Sequence, residues 1–283
     1  PLTLEDAKIR FPKNQLVRAV DYCVDKYGVK AGKLMLKVGS DFCMGMGSSS
    51  SIYLGTIMGF ATLMNVVNLE DINSLIFQAV QAYDLQLQAQ TYASGYDIIT
   101  QIFGGVVLFN FNPFKKIWPQ TVDKVQKINL EILNQYFHVF VHKKELSSET
   151  IIKNVLYDLR RKNFFKRLYD ISDLLVDRFV EYMQNPKDTT IFYGLCDLIA
   201  NHQSILLETD FGYKDILFKL YNIKGYKERW MVKTLGGGGN DTLLILGYEK
   251  EPLLNQVFSF LTLNSWKKVN IKLQDIKLKV QII

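Results

Sequence analysis

Apolar residues recur at helical spacing from Asn14 to Tyr27, where Leu16, Val17, Val20, Val24 and Tyr27 share a face and Gly28 supplies a stop. Lys33 to Val38 alternates as Lys-Leu-Met-Leu-Lys-Val, which predicts a short strand. Beyond Gly45-Met46-Gly47-Ser48-Ser49-Ser50-Ser51 an apolar run predicts a buried helix to about Val67. Asn68 and Asp71 are placed to cap a helix from Ile72 to about Gln90. A loop, Thr91 to Tyr96, leads into Asp97 and a short helix ended by Gly104-Gly105, and Val106 to Phe111 reads as a strand. Interleaved strands and helices make this half α/β or α+β. From Gln120 to Glu208 the pattern predicts almost continuous helix, broken near Leu146-Ser147-Ser148 and Asn185-Pro186. Trp230 to Thr234 and Thr242 to Tyr248 read as strands, Leu253 to Leu261 as a helix, and Val269 to Ile282 as an alternating last strand. Helices followed by antiparallel-looking strands predict a second α+β domain, with Asn112-Pro113 and Trp118-Pro119 near the boundary.

A length of 283 residues gives two such domains ample core, and 48% hydrophobic with 13% aromatic residues excludes disorder. Cys23, Cys43 and Cys196 lie far apart, which excludes a disulfide scaffold or thiolate zinc site and suits a reducing, cytoplasmic compartment. His138 and His142 are four apart, but HVFVH has no glutamate in the HExxH position, so both read as ordinary helix residues. Phe42 to Leu69 carries no charge, yet its serines, Thr56, Thr62, Asn65 and Asn68 would be costly in lipid; no membrane span is expected. The net charge of +6 comes from bases scattered among acids, so nucleic-acid binding is the weaker reading and a small anionic partner fits equally. The distribution is uneven: no Lys or Arg occurs between Lys37 and Lys115.

Three stretches could carry chemistry. In Gly45-Met46-Gly47-Ser48-Ser49-Ser50-Ser51, glycines admit an anion close to the backbone, and amides at a helix start point towards it. The spelling is neither GxxxxGK[ST] nor GxGxxG, and a plain turn with a serine cap is the bland alternative. With no base nearby in sequence, phosphate would be held by amides and hydroxyls, and a cation would come from elsewhere, such as Lys13, Arg18 or Lys233. In Ser94-Gly95-Tyr96-Asp97 a solitary acid enters an apolar helix as either an N-cap or a general base. In Lys233-Thr234-Leu235-Gly236-Gly237-Gly238-Gly239-Asn240-Asp241, four glycines suit close approach to a ligand or a flexible surface turn.

In this order and spacing the three resemble the motifs of the GHMP kinase superfamily, which includes galactokinases and homoserine, mevalonate and phosphomevalonate kinases. GMGSSSS is similar to its phosphate loop, SGYDIITQIFGG to the S-G-x-D segment of the phosphomevalonate kinase branch, and KTLGGGGND to the third, glycine-rich motif. Leu198 to Leu207 is similar to the helix preceding that motif. The resemblance implies an α+β fold of two domains. Residues 1–118 would form a domain like domain two of ribosomal protein S5, and 119–283 a ferredoxin-like domain. It implies ATP and Mg²⁺ as cofactors. Gly45, Met46, Gly47, Ser48, Ser49 and Ser50 would hold the nucleotide, with Ser49 beside the metal. Asp97 would be the catalytic base, and Ser94, Gly95, Lys233 and Gly236, Gly237, Gly238 and Gly239 would face the acceptor.

The implied activity is phosphoryl transfer to phosphomevalonate or a related mevalonate-pathway acid. Mevalonate kinase, mevalonate 3-phosphate 5-kinase and sugar kinase are alternatives, as is a catalytically inactive sensor of the same fold; a diphosphomevalonate decarboxylase is disfavoured by S-G-x-D. The partner is a small anion, without nucleic acid or membrane, and a homodimer is compatible. Departures from the family pattern are specific. The first motif is missing, and the expectation is that the chain opening on Pro1 begins inside a longer protein. Asp41 stands where a proline is frequent, and Gln86, Gln88 and Gln90 occupy the stretch of the usual magnesium glutamate.

Overall fold

Local capping fixes the first elements of the computed structural model, which describes residues 3–29, 48–89, 93–110, 118–119, 121–142, 162–208, 214–235, 242–270 and 273. Thr3 and Asp6 form a capping box on α1 (Leu4–Arg10). Asn14 caps α2 (Gln15–Tyr27) by accepting from the amides of Leu16 and Val17, and Gly28 ends it in the left-handed region at φ 63°. The expected strand at Lys33 to Val38 lies outside the described residues.

The described residues form two compact units, divided between Val125 and Gln126. In the first, α3 (Ser48–Leu63) is apolar on nearly every side and is therefore enclosed. It packs on α2, on α4 (Ile72–Ala89) and on α5 (Tyr96–Phe103). Tyr53, Leu54, Ile57 and Met58 of α3 meet Ala19, Cys23, Ala79, Ala82, Ile98 and Ile99 in one core. Asp71 caps α4 by accepting from the Asn73 amide at 3.0 Å. An antiparallel pair, β1 (Val107–Asn110) and β2 (Thr121–Lys124), completes the unit.

The second unit contains α6 (Leu130–Leu133), β3 (Phe137–His142), α7 (Lys162–Gln184), α8 (Thr189–Leu207), α9 (Lys214–Tyr221), β4 (Trp230–Thr234), β5 (Thr242–Gly247), α10 (Pro252–Leu263) and β6 (Trp266–Val269). Its four strands pair antiparallel in the order β4-β5-β3-β6, the ferredoxin-like arrangement. β5 is buried on both faces. Leu243 and Ile245 pack with α9 and α10, whereas Leu244 and Leu246 pack with α7 and α8.

Two expectations are corrected here. Phe137–His142 is a strand, not helix: Phe-His-Val-Phe-Val-His is rich in β-branched and aromatic residues, and two flanking strands claim both of its edges. Its alternation turns His138 inward, where the imidazole bonds the Gly247 carbonyl at 3.1 Å. Thr121–Lys124, also expected as helix, is the strand β2 paired with β1. The expected last strand, Val269 to Ile282, lies almost wholly outside the described residues, and β6 ends at Val269. Among the described residues no helix is long and apolar enough to cross a membrane.

Candidate active site

Helix α3 starts at Ser48, so the unpaired amides of its first turn stand at the end of the glycine-serine stretch. Gly45, Met46 and Gly47 lie outside the described residues, as do Gly236, Gly237, Gly238 and Gly239. The two serines after Ser48 have different surroundings. Ser49 Oγ accepts from Gln15 Nε2 at 2.7 Å, which ties the first turn of α2 to that of α3. Ser50, 1% exposed, points the other way: its Oγ lies 3.4 Å from Gln86 Oε1 and 3.5 Å from Asp97 Oδ2. A hydroxyl has one proton, so Ser50 serves these two acceptors alternately.

Asp97 is the second residue of α5 and does not cap it. The N-cap is Gly95, at φ 74°, without a side-chain capping bond. The carboxylate instead lies 3.5 Å from Ser50 Oγ. Burial raises its pKa above the usual 3.8, partly offset by hydrogen bonds from Ser50 and Tyr96. A carboxylate so placed is a stronger base than an exposed one and sits beside the first turn of α3. Gln86 shares the inward face of α4 with Ala79, Ala82 and Tyr83, whereas Gln88 is exposed and Gln90 lies outside the described residues.

Two rings strap the turn before Asp97. Tyr83 and Trp118 stack at 4.2 Å between centroids, 11° from parallel. The Tyr83 hydroxyl donates to the Ala93 carbonyl at 2.9 Å, and Trp118 Nε1 donates to the Ser94 carbonyl at 2.9 Å. Ser94 thus enters through its backbone, and Gly95 through its conformation and lack of a Cβ. Gln15, Tyr83 and Trp118 carry no motif signal in the sequence.

Cations of the first unit include Arg18, one turn after Gln15. Its Nε donates to the Pro12 carbonyl at 3.1 Å, and its charge acts on Tyr53, whose buried hydroxyl has no partner among the described residues. Lys13 is exposed. In the second unit, Lys233 Nζ donates to the Thr234 carbonyl at 3.1 Å, and burial lowers its pKa.

Mg²⁺ binds oxygen and keeps several waters, so it needs few protein ligands. Among the described residues no group of three His, Cys, Asp or Glu converges on a metal position. Ser49 Oγ retains a lone pair after accepting from Gln15, and the Asp97 carboxylate lies beside the next serine. Ser49 Oγ is thus one oxygen donor that fits a hydrated ion bound to phosphate.

No family model matches the chain, and no curated protein matches its sequence. Solved structures do match. The Lin0012 protein of Listeria innocua is 14% identical, with a TM-score of 0.65, covering 90% of this chain and 76% of that one. Phosphomevalonate kinase of Streptococcus pneumoniae, in complex with phosphomevalonate and AMPPNP, is 15% identical with a TM-score of 0.61, covering 90% and 80%. Mevalonate kinase of L. major, in complex with R-mevalonate, is 16% identical with a TM-score of 0.57, covering 91% and 74%. At such identities the likeness speaks for the fold, and the fold of this chain is that of the GHMP kinases.

Proposed function

We propose that the protein is an ATP- and Mg²⁺-dependent small-molecule kinase that transfers the γ-phosphate to phosphomevalonate or a closely related mevalonate-pathway acid. The observation that carries this reading is the 3.5 Å approach of Asp97 to Ser50, which brings the lone acid of the second motif to the helix launched by the first. In this reading Gly45, Met46, Gly47, Ser48, Ser49 and Ser50 cradle the nucleotide phosphates, and Ser49 would hold the metal, which would neutralise phosphate charge. Asp97 takes the proton of the acceptor hydroxyl, a role suited to a carboxylate whose basicity burial has raised. Lys233 and Gly236 to Gly239 belong to the acceptor side.

The test is ADP release over a panel of mevalonate, phosphomevalonate, mevalonate 3-phosphate and simple sugars, with Asp97→Asn as control. Turnover on one mevalonate-pathway acid is expected, with the variant slower by about 10²–10⁴-fold and nucleotide affinity kept. A fully active variant refutes the base. Nucleotide binding without turnover on any acceptor would replace the kinase reading with that of a sensor.

A further inference from the structure

A hydroxyl group carries one proton but can accept as well as donate, so its surroundings decide which way it turns. Ser50 Oγ stands between two oxygen acceptors, Gln86 Oε1 at 3.4 Å and Asp97 Oδ2 at 3.5 Å. Ser50 is 1% exposed and Gln86 7%, so water competes little for either. The three groups come from three packed helices: Ser50 from the first turn of α3, Gln86 from the inward face of α4 and Asp97 from the start of α5. Which acceptor wins depends on the charge of the carboxyl group. Ionised Asp97 draws the Ser50 proton, because a hydrogen bond to a charged acceptor is the stronger one. Protonated Asp97 is itself a donor. Its O–H can then turn to Ser50 Oγ, and the Ser50 proton turns to the Gln86 carbonyl. The result is a chain of hydrogen bonds that runs one way, from Asp97 through Ser50 to Gln86. A neutral amide oxygen suits the last place: it loses to a carboxylate and accepts once that charge is gone.

We propose that Gln86 is a positioning residue for the base: its carbonyl accepts from Ser50 when Asp97 is protonated, and so stabilises the state that proton abstraction produces. The catalytic consequence rests on the kinase reading; the hydrogen-bond chain does not. In the reaction the acceptor O–H breaks and an O–H forms on Asp97, while the freed electron pair goes to the γ-phosphorus as ADP departs. Ser50 only rotates, and no proton leaves it. Few other groups disturb Asp97. Among the described residues, α3, α4, α5 and β1 add only Tyr53, Tyr83, Asp84 and Tyr96 as titratable groups. Asp84 is exposed. Burial raises the pKa of all three tyrosines, to about 12 for Tyr96, which also hydrogen-bonds Asp97, so they stay neutral where Asp97 titrates.

The experiment follows the Asp97 carboxyl carbon by NMR across the acid range, with Asp97→Asn to assign the signal, and measures kcat/KM against pH on ATP and phosphomevalonate. The variants are Gln86→Met, Ser50→Ala and the two combined. Gln86→Met is expected to place the Asp97 midpoint about 0.5–1 pH unit lower when Ser50 is present than when it is replaced, the worth of one hydrogen bond. A change in local polarity would act alike in both backgrounds and cancels from this difference. The acid limb of kcat/KM should move with the carboxyl group. If Gln86→Met does not fold, Gln86→Asn takes its place, since a side chain one methylene shorter withdraws the same carbonyl from Ser50. Equal shifts in the two backgrounds, or a difference of the opposite sign, overturn the proposal. The expected difference without turnover on phosphomevalonate or the other acceptors named above would sink the kinase reading, and with it the catalytic consequence, while the chain stands. Turnover with equal shifts would sink the role of Gln86 and leave the kinase reading intact.

Discussion

Gly95→Ala tests how the turn before Asp97 is held. A Cβ on Gly95 would stand 2.5 Å from Trp118 Cζ2, 2.8 Å from Trp118 Cε2 and 2.7 Å from Tyr83 Cδ2, inside the distance that real contacts allow. Neither ring can yield freely, because each is stacked on the other and hydrogen-bonded to the backbone of Ala93 or Ser94. The backbone adds a second cost, since φ at Gly95 is 74°. Placing an L-residue in the left-handed region costs about 1–2 kcal/mol. Forcing a methyl into a packed site costs about 1–3 kcal/mol. Together the substitution should destabilise by about 2–5 kcal/mol, or lower Tm by roughly 4–20 °C. Calorimetry gives the total, and Gly95→Asn separates the parts: asparagine tolerates the left-handed region better but brings a larger side chain to the same rings. The expectation is that asparagine is no milder than alanine, and that kcat falls in both because Asp97 begins two residues later. A Tm for Gly95→Ala within about 2 °C of wild type would refute the strapped-turn reasoning.

Other outcomes follow from the same geometry. Asp97 is destabilising when ionised: its folded pKa is raised, so the stability it lends is present below its unfolded pKa and lost as pH rises through the folded value. Asp97→Asn should therefore melt no lower than wild type at pH 7 while losing activity; a markedly lower Tm would contradict the burial argument. Ser50→Ala deletes one of the hydrogen bonds that hold the Asp97 pKa down, so the ascending limb of kcat/KM against pH should move to higher pH; movement to lower pH would speak against Asp97 as the base. His138 is held neutral, its pKa lowered to about 4 by burial first and Lys268 second. Between pH 6.5 and 4 the unfolded chain binds the extra proton, so stability falls with falling pH across that window. The loss is at most about 3 kcal/mol, and His138→Gln should flatten it in urea unfolding series.

The helical half of the first unit was legible because its signals are local. Asn14 and Gly28 bound α2, Asp71 opens α4, and Gly104 closes α5, each at or within a residue or two of the expected place. The charge-free run at α3 read correctly as a buried helix, since a segment apolar all round needs enclosure wherever it folds. Phe137–His142 failed because its identity as a strand depends on β5 and β6, more than a hundred residues later. At the candidate site, whether Asp97 caps α5 could not be read from sequence. It turns on Gly95 taking the cap position at positive φ, which follows from two rings remote in the chain. Likewise Gln86, Gln88 and Gln90 look alike until helix phase points Gln86 at Ser50. Gln15 had no sequence signature at all, since an amide becomes informative only when its hydrogen-bonding partner, here Ser49, is known.

The stacked ring at Trp118 has a practical corollary. The chain has three tryptophans, and Trp230 and Trp266 are both embedded in the core of the second unit. Trp118 is thus the lone indole of the first unit, with its N–H anchored to the residue that precedes Gly95. Replacing Trp230 and Trp266 by phenylalanine would leave an emission signal that reads this one turn, so that ligand titrations could be followed optically, without labels, from beside Asp97.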